Sequence, residues 1–261
     1  MNDLLIHTRE GPIARLQLNR PGNLNALSNE MLAALQKTLD DLSNDPETKV
    51  VVLSGAGKAF CAGHDLKEMT AARQSSDKGT AAFRDLFDRC AQMMTTIQKM
   101  PQPVIAQVHG VATAAGCQLV ASCDMAVAAD DTRFGVNGVN IGLFCSTPMV
   151  ALSRNIARKH AFEMLTTGDF INAARAAELG LVNRTCPPDA LEYETLALAE
   201  KIASKLGVAV RIGKQAFYKQ LEMSLSDAYT YTGEVMTENM SHPDTEEGIA
   251  AFLEKRPPNW T

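Results

Sequence analysis

The chain has 261 residues, 46% of them hydrophobic, and a formal net charge of -5 at pH 7. That length can bury a substantial core, in one domain or one domain with an appendage. The acidic balance argues against nucleic acid and anionic membrane as partners. It says nothing about a small anionic ligand, which local cations or backbone N–H groups would have to hold.

Leu4-Leu5-Ile6-His7 and Ile13-Ala14-Arg15-Leu16-Gln17-Leu18, separated by Glu10-Gly11-Pro12, predict a hairpin. Ser28 caps an expected helix with apolar Met31, Leu32, Leu35, Leu39 and Leu42 at helical spacing. Val50-Val51-Val52-Leu53 is a continuous apolar run, suited to a strand covered on both faces, and Ser54-Gly55-Ala56-Gly57 reads as a turn. After a polar stretch over 73–80 the alternation repeats: a helix through Phe83, Leu86, Phe87, Cys90, Met94 and Ile97, then a strand Val104 to Val108. His109-Gly110 follows, then a small-residue helix around Ala114 to Leu119, then a strand Met125 to Ala128. Strands alternating with helices predict an α/β layer with right-handed crossovers.

The last third changes character. Ala173 to Leu179 predicts a helix ended by Gly180, and amphipathic helices are expected over 193–206, 208–221 and 228–240. Asp244-x-x-Glu247 resembles a capping box for a final helix through Ile249, Phe252 and Leu253. The expected organisation is a core over 1–200 and a helical region over 201–261 that packs on the core or on a neighbouring subunit.

The six cysteines (Cys61, Cys90, Cys117, Cys123, Cys145, Cys186) sit mostly in apolar stretches and read as reduced thiols. Cys61-x-x-His64 has metal-like spacing without a second pair, so no metal site is expected. Met1-Asn2-Asp3 leads into alternating apolar residues without signal-peptide regions, and no apolar run is long enough for a bilayer. The expectation is a soluble, cytoplasmic protein.

Two predicted strands end in Gly/Ala-rich turns, Gly55 to Asp65 and His109 to Gly116. Small residues let backbone approach a ligand, and a helix starting just afterwards presents free N–H groups. Two such N–H groups on one oxygen would stabilise an oxyanion; the plain alternative is tight packing.

Motifs spanning nearly the whole chain, in order, decide between these. Asn19-Arg20-Pro21 is followed by Asn25-Ala26-Leu27-Ser28, and then by the stretch from Gly57 to Met69 containing Ala62-Gly63-His64-Asp65-Leu66. Pro103 to Gly110, Ala115-Gly116-Cys117, Cys123-Asp124, Ala177 to Val182 and Phe252-x-Glu254-Lys255-Arg256 complete the series. The chain thereby resembles the crotonase (enoyl-CoA hydratase/isomerase) superfamily. A narrower likeness, to one branch of that superfamily, runs through Thr113 to Asp124, Asn140 to Pro148 and Phe217-Tyr218-Lys219-Gln220.

The resemblance implies a crotonase/ClpP-like spiral of β-β-α units followed by helices that build homotrimers or dimers of trimers. It implies an acyl-CoA thioester as substrate or ligand, no permanently bound cofactor, and a place in fatty acid metabolism. The backbone N–H groups of His64 and Ala115 would form the oxyanion hole. Ala26, Leu27, Ala62, Asp65 and Leu66 would line the CoA groove, and Phe252 and Lys255, of the same or a neighbouring subunit, would complete its nucleotide end. The plain alternatives are helix core for Phe252 and a solvated helix end for Lys255.

The sequence departs from the hydratase pattern at its acid–base pair. The two hydratase glutamates align with Gln118 and Gly138, neither of which exchanges a proton near neutral pH. Ordinary hydration is therefore not expected, and an isomerase base at the second position is missing too. Loss of CO2 from an acyl-CoA needs no base, so a decarboxylating lyase that relies on the oxyanion hole fits better; a non-catalytic acyl-CoA binder is the other reading. Cys145 is placed like a catalytic tyrosine of a decarboxylase branch, and would be useful if a helix N-terminus lowered its thiol pKa. Its plain reading is a small buried residue before a helix. The His64 imidazole is expected either to face solvent or to titrate near its ordinary value of ~6.5. His109 is expected to pack or cap.

Overall fold

The computed structural model describes residues 3–260; the reading of Met1 and Asn2 lies outside them. The predicted hairpin is β1 (Leu5–Glu10) against β2 (Ile13–Leu18), paired antiparallel. Helix α1 (Asn29–Ser43) starts where expected, the Ser28 hydroxyl accepting from the Met31 N–H. Such a cap contributes about 1 kcal/mol. Next come β3 (Val50–Gly55), α2 (Leu66–Ala72), α3 (Thr80–Lys99), β4 (Val104–Val108), β5 (Val111–Thr113), α4 (Ala115–Ser122), β6 (Met125–Ala129) and β7 (Arg133–Gly135). Then follow α5 (Pro148–Asn155), α6 (Arg158–Thr167), β8 (Ile171–Asn172), α7 (Ala173–Leu179) and β9 (Arg184–Cys186), and last the helices α8 (Leu191–Ala203), α9 (Gly207–Gln220), α10 (Leu225–Met240) and α11 (Pro243–Glu254).

The strands form a six-stranded sheet in the order β1-β2-β3-β4-β6-β9 and a three-stranded sheet β5-β7-β8. From β2 to β9 the large sheet is parallel. Strand β3 shows why its apolar run is unbroken. Val51 and Leu53 face the main core with α1, α3 and α4, while Val50 and Val52 face Ala199 and Ala203 of α8. Strands β2, β3, β4 and β6 are each followed by a segment that joins a second layer: Leu27 bridges His64, Cys61 bridges Ala112 of β5, and β5 pairs with β7 in parallel. Repetition of that step makes the expected β-β-α spiral. It also stacks the Gly55 to Asp65 turn directly on the His109 to Gly116 turn.

Two sequence expectations change. Strand β3 runs through Gly55, so the turn begins one residue before Gly57. The capping box at Asp244 and Glu247 is not formed. His242 is the N-cap, its Nδ1 accepting from the Asp244 N–H, with Pro243 in the first turn. Glu247 instead accepts from the two terminal guanidinium nitrogens of Arg256, at 2.6 and 2.9 Å, and from the Asn259 N–H. Proline at the first helical position was the signal that competed with the Asp-x-x-Glu spacing.

The C-terminal helices are fastened to the core by a buried charge. Lys214 of α9 donates to the carbonyls of Ile97 and Gln102 at 2.7 and 2.8 Å and to Asp124 at 2.7 Å. Asp124 also accepts from the Val104 N–H at 2.6 Å and the Tyr218 hydroxyl at 2.9 Å. Burial pushes the Asp124 carboxyl up and the Lys214 ammonium down, and their mutual attraction opposes both shifts.

Candidate functional site

The two glycine turns meet through backbone. Phe60 N–H donates to the His109 carbonyl and Cys61 N–H to that of Val111, while Thr113 N–H donates back to Cys61. Asn25 is fully buried and holds the first turn from below, its amide nitrogen donating to the carbonyls of Ala56 and Ala59 at 2.9 and 2.8 Å. His109, expected to pack or cap, adds a side-chain tie between the turns, its Nε2 2.8 Å from the Gly57 carbonyl. Gly116 makes the closeness possible, because a Cβ there would lie 2.1 Å from the Cys61 carbonyl oxygen.

The donors sit at this junction. Gly63 has φ +89°, and a Cβ on it would lie 3.1 Å from the Ala115 nitrogen. Ala114 takes φ +50° and ψ -120°, a conformation that costs an L-residue about 1–3 kcal/mol and turns the next peptide outward. Among the described residues, neither the His64 N–H nor the Ala115 N–H donates to an acceptor. Leu27 N–H takes the Gly63 carbonyl at 2.7 Å, and Ala62 N–H takes that of Leu24, which sets His64 at the end of a braced segment. Ala26 and Ala62 are half-buried and Leu27 is buried beside them. Leu66 opens α2, 52% exposed. Asp65 is the cap of that helix, accepting from Lys67 and Glu68 N–H, so its carboxylate already has a structural task.

The His64 ring overturns the expectation that it faces solvent. It lies edge-on to Phe87 of α3 with ring centroids 5.7 Å apart, and both ring nitrogens are buried without a hydrogen-bond partner. Burial holds its pKa below the ordinary value; the Leu27 backbone, close to the ring but outside hydrogen-bond geometry, opposes that shift in part. Gln118 follows Ala115 by one helical turn, is 5% exposed, and keeps its Oε1 buried and unpartnered. Each such orphan costs a fold about 1–3 kcal/mol.

Gly138 proves to be more than a missing side chain. A Cβ there would meet the Leu143 carbonyl oxygen at 2.3 Å and the Cys145 sulfur at 2.9 Å. Of the two readings of Cys145, the structure agrees with the small buried residue before a helix: it is buried ahead of α5, and burial raises its thiol pKa instead of lowering it. The same cause pushes Cys61 and Cys117 up to about 12. Next to Gly138, the Asn137 oxygen accepts from the Thr113 hydroxyl at 2.6 Å, which ties this loop to the second turn. Sequence reasoning missed that link, the Ala114 strain and the Phe87 contact; an alanine in a glycine conformation leaves no sequence signal. Phe252 is 82% exposed, against the helix-core alternative, and Lys255 is the left-handed C-cap of α11, which packs on α10.

The enoyl-CoA hydratase/isomerase family pattern matches residues 8–261. The chain belongs to the enoyl-CoA hydratase/isomerase family. Within it, the chain is similar to enoyl-CoA hydratase domain-containing protein 3, mitochondrial, of Xenopus laevis, with 47% identity over 99% of this chain and 86% of that protein. It is also similar to the crystal structure of an enoyl-CoA hydratase of Mycobacterium smegmatis, at 52% identity and TM-score 0.95 over 99% of both chains. The crystal structure of the human domain-containing protein 3 gives 43% identity and TM-score 0.94, covering 99% of this chain and all of that one (100%). The family's α/β spiral is thus the fold of this chain. The expectation of a cytoplasmic protein does not stand, because the frog, fish, rat, mouse and human relatives are named mitochondrial.

Proposed function

We propose that this protein binds an acyl-CoA thioester beside the His64 turn, polarises its carbonyl with the His64 and Ala115 N–H groups, and supports loss of CO2 from malonyl-type thioesters in preference to hydration. The observation that carries this reading is the pair of unpartnered N–H groups on touching turns, with an amide at 118 and a closed glycine at 138. Hydration requires one group to take a proton from water and another to protonate the α-carbon. Gln118 and Gly138 do neither. In decarboxylation the bond from the α-carbon to the carboxylate breaks, its electron pair enters the enolate, and CO2 leaves. The negative charge builds on the thioester oxygen, where two preset N–H groups stabilise it most. The α-carbon then takes one proton, from water or from the Cys145 thiol that burial keeps protonated.

Ala26, Leu27, Ala62, Asp65 and Leu66 form the CoA groove in this reading. Assembly completes it: Leu225, Tyr229, Met236, Phe252 and Leu253 form exposed apolar surface on α10 and α11, suited to cover by further copies of the chain. In a homotrimer or dimer of trimers, Phe252 and Lys255 would reach the nucleotide end of a neighbour's CoA.

The test is turnover of malonyl-CoA and methylmalonyl-CoA, followed by CO2 release, beside crotonyl-CoA hydration. The expected result is decarboxylation that falls about 100- to 1,000-fold in a folded His64→Pro variant, which lacks one donor. Cys145→Ala separates the two proton sources. Saturable thioester binding with no product would make the protein a non-catalytic binder, and hydration above the His64→Pro level would overturn the preference for CO2 loss.

A further inference from the structure

We infer that Thr113 and Asn137 are positioning residues for the carbonyl clamp: the hydrogen bond between their side chains holds Ala114 in its strained turn and so aims the Ala115 N–H. The inference rests on the thioester reading above, and neither side chain is asked to touch the ligand.

Ala114 carries the twist between two pinned peptides. Its φ of +50° and ψ of -120° are those of the second residue of a type II′ turn, a place that glycine usually fills. On the strand side, the Ala114 N–H donates to the Gly135 carbonyl at 2.9 Å and the Thr113 N–H to the Cys61 carbonyl at 3.0 Å. On the helix side, the Ala114 carbonyl accepts from the Gln118 N–H at 3.0 Å, the first link of α4. The peptide between Ala114 and Ala115 bears the donor, so relaxation of Ala114 re-aims it. The other half of the clamp is close enough to feel that shift. A Cβ on Gly63, next to His64, would lie 3.0 Å from the Thr113 carbonyl oxygen and 3.1 Å from the Ala115 nitrogen.

Strain of this kind persists only where the surroundings over-determine the conformation. The side-chain bond supplies the extra constraint, the Thr113 hydroxyl donating to the Asn137 Oδ1 at 2.6 Å. Its acceptor stands on a stiff base. Asn137 opens the short 3-10 helix Asn137–Ile141, in which the Gly138 carbonyl takes the Leu143 N–H at 2.9 Å and a Cβ on Gly138 would meet the Leu143 carbonyl oxygen. One neutral hydrogen bond is comparable in size with the strain of one residue, so its loss is enough to change which conformation Ala114 prefers. Both partners are half-buried. A bond that served only the loop could be replaced by water on mutation, without effect on how a carbonyl is held.

The experiment is calorimetric binding of butyryl-CoA and of S-butyl-CoA, the thioether that lacks only the carbonyl oxygen, to the full chain. The ratio of the two affinities reports the clamp, whereas a general loosening of the fold moves both affinities together. The unaltered protein should prefer the thioester by at least about tenfold. Thr113→Val should lower that preference by about three- to tenfold while the thioether affinity stays within about twofold. Thr113→Ser, which keeps the hydroxyl, should retain it. Adding Ala114→Gly to Thr113→Val should restore it, since glycine holds a positive φ without restraint. Asn137→Leu removes the acceptor and carries the test if Thr113→Val does not fold. A preference that survives Thr113→Val or Asn137→Leu, or a loss that Ala114→Gly does not recover, overturns the inference and leaves the thioester reading intact. Equal binding of the two ligands by the unaltered protein, or binding of neither, overturns that reading itself, and the inference with it.

Discussion

Two buried polar regions of this molecule are built on opposite rules. At the root of the C-terminal helices, Lys214 meets three acceptors and Asp124 meets three donors, so every charge taken out of water is answered. At the clamp, two backbone N–H groups, an imidazole and an amide oxygen are left open. The fold can clearly satisfy buried polar groups, so leaving several open at one junction gives up stability there, as the proposed thioester site would require. Closure holds α9 to the core; openness leaves the clamp its unpaired donors.

Substitution should therefore change stability in opposite directions in the two regions. The largest expected effect is Lys214→Met, which strands the Asp124 carboxylate and should lower stability by about 3–5 kcal/mol in urea unfolding. Adding Asp124→Leu should restore part of that loss. Next is Gly116→Val, whose side chain has no room against the Cys61 carbonyl. It should cost about 1–3 kcal/mol and part the two turns, abolishing thioester binding by calorimetry. At the clamp, Gln118→Leu should instead raise stability by about 1 kcal/mol, because it removes an unpaired polar atom. Loss of stability on that change would break the comparison. Ala114→Gly should raise stability by a few tenths to about 1 kcal/mol, read in urea unfolding, since glycine adopts φ +50° without strain.

The smallest effect belongs to the exposed C-terminal clasp. The Arg256 guanidinium first, and the Asn259 N–H second, hold the Glu247 carboxyl down to about 2. A depressed acid adds stability above its unfolded value, ~4.3, and loses it as the pH falls through the folded one. The clasp should weaken below about pH 4 and be gone near pH 2. An NMR titration of Glu247 should show the low midpoint, and Arg256→Gln should move it up.

The large sheet and its helices were legible in the sequence because they obey simple periods. Val50 to Leu53 is apolar on both faces since both are covered, and Met31, Leu35, Leu39 and Leu42 mark one face of α1. The second sheet was not. Val111–Thr113 and Arg133–Gly135 are three residues each, too short for alternation to show, and they lie among glycines that read as turns. Of the site, the His64 and Ala115 positions could be placed by motif. The facing of the ring could not, since one histidine beside a glycine carries no periodicity. Lys214 stayed hidden for a related reason: a lysine in an amphipathic helix reads as solvated, and only the carbonyls of Ile97 and Gln102, far away in sequence, make it a buried anchor.

Position 138 has a consequence for which sequences this fold accepts. The Leu143 carbonyl and the Cys145 sulfur occupy the room that a side chain there would use, with the Leu143 N–H bonded to the Gly138 carbonyl at 2.9 Å. A glycine codon is one base from a glutamate codon, yet the protein that change would make has no place for the new carboxylate. Any side chain at 138 requires the loop over 138–145 to be rebuilt first, so a single substitution there alters the backbone before it can alter the chemistry.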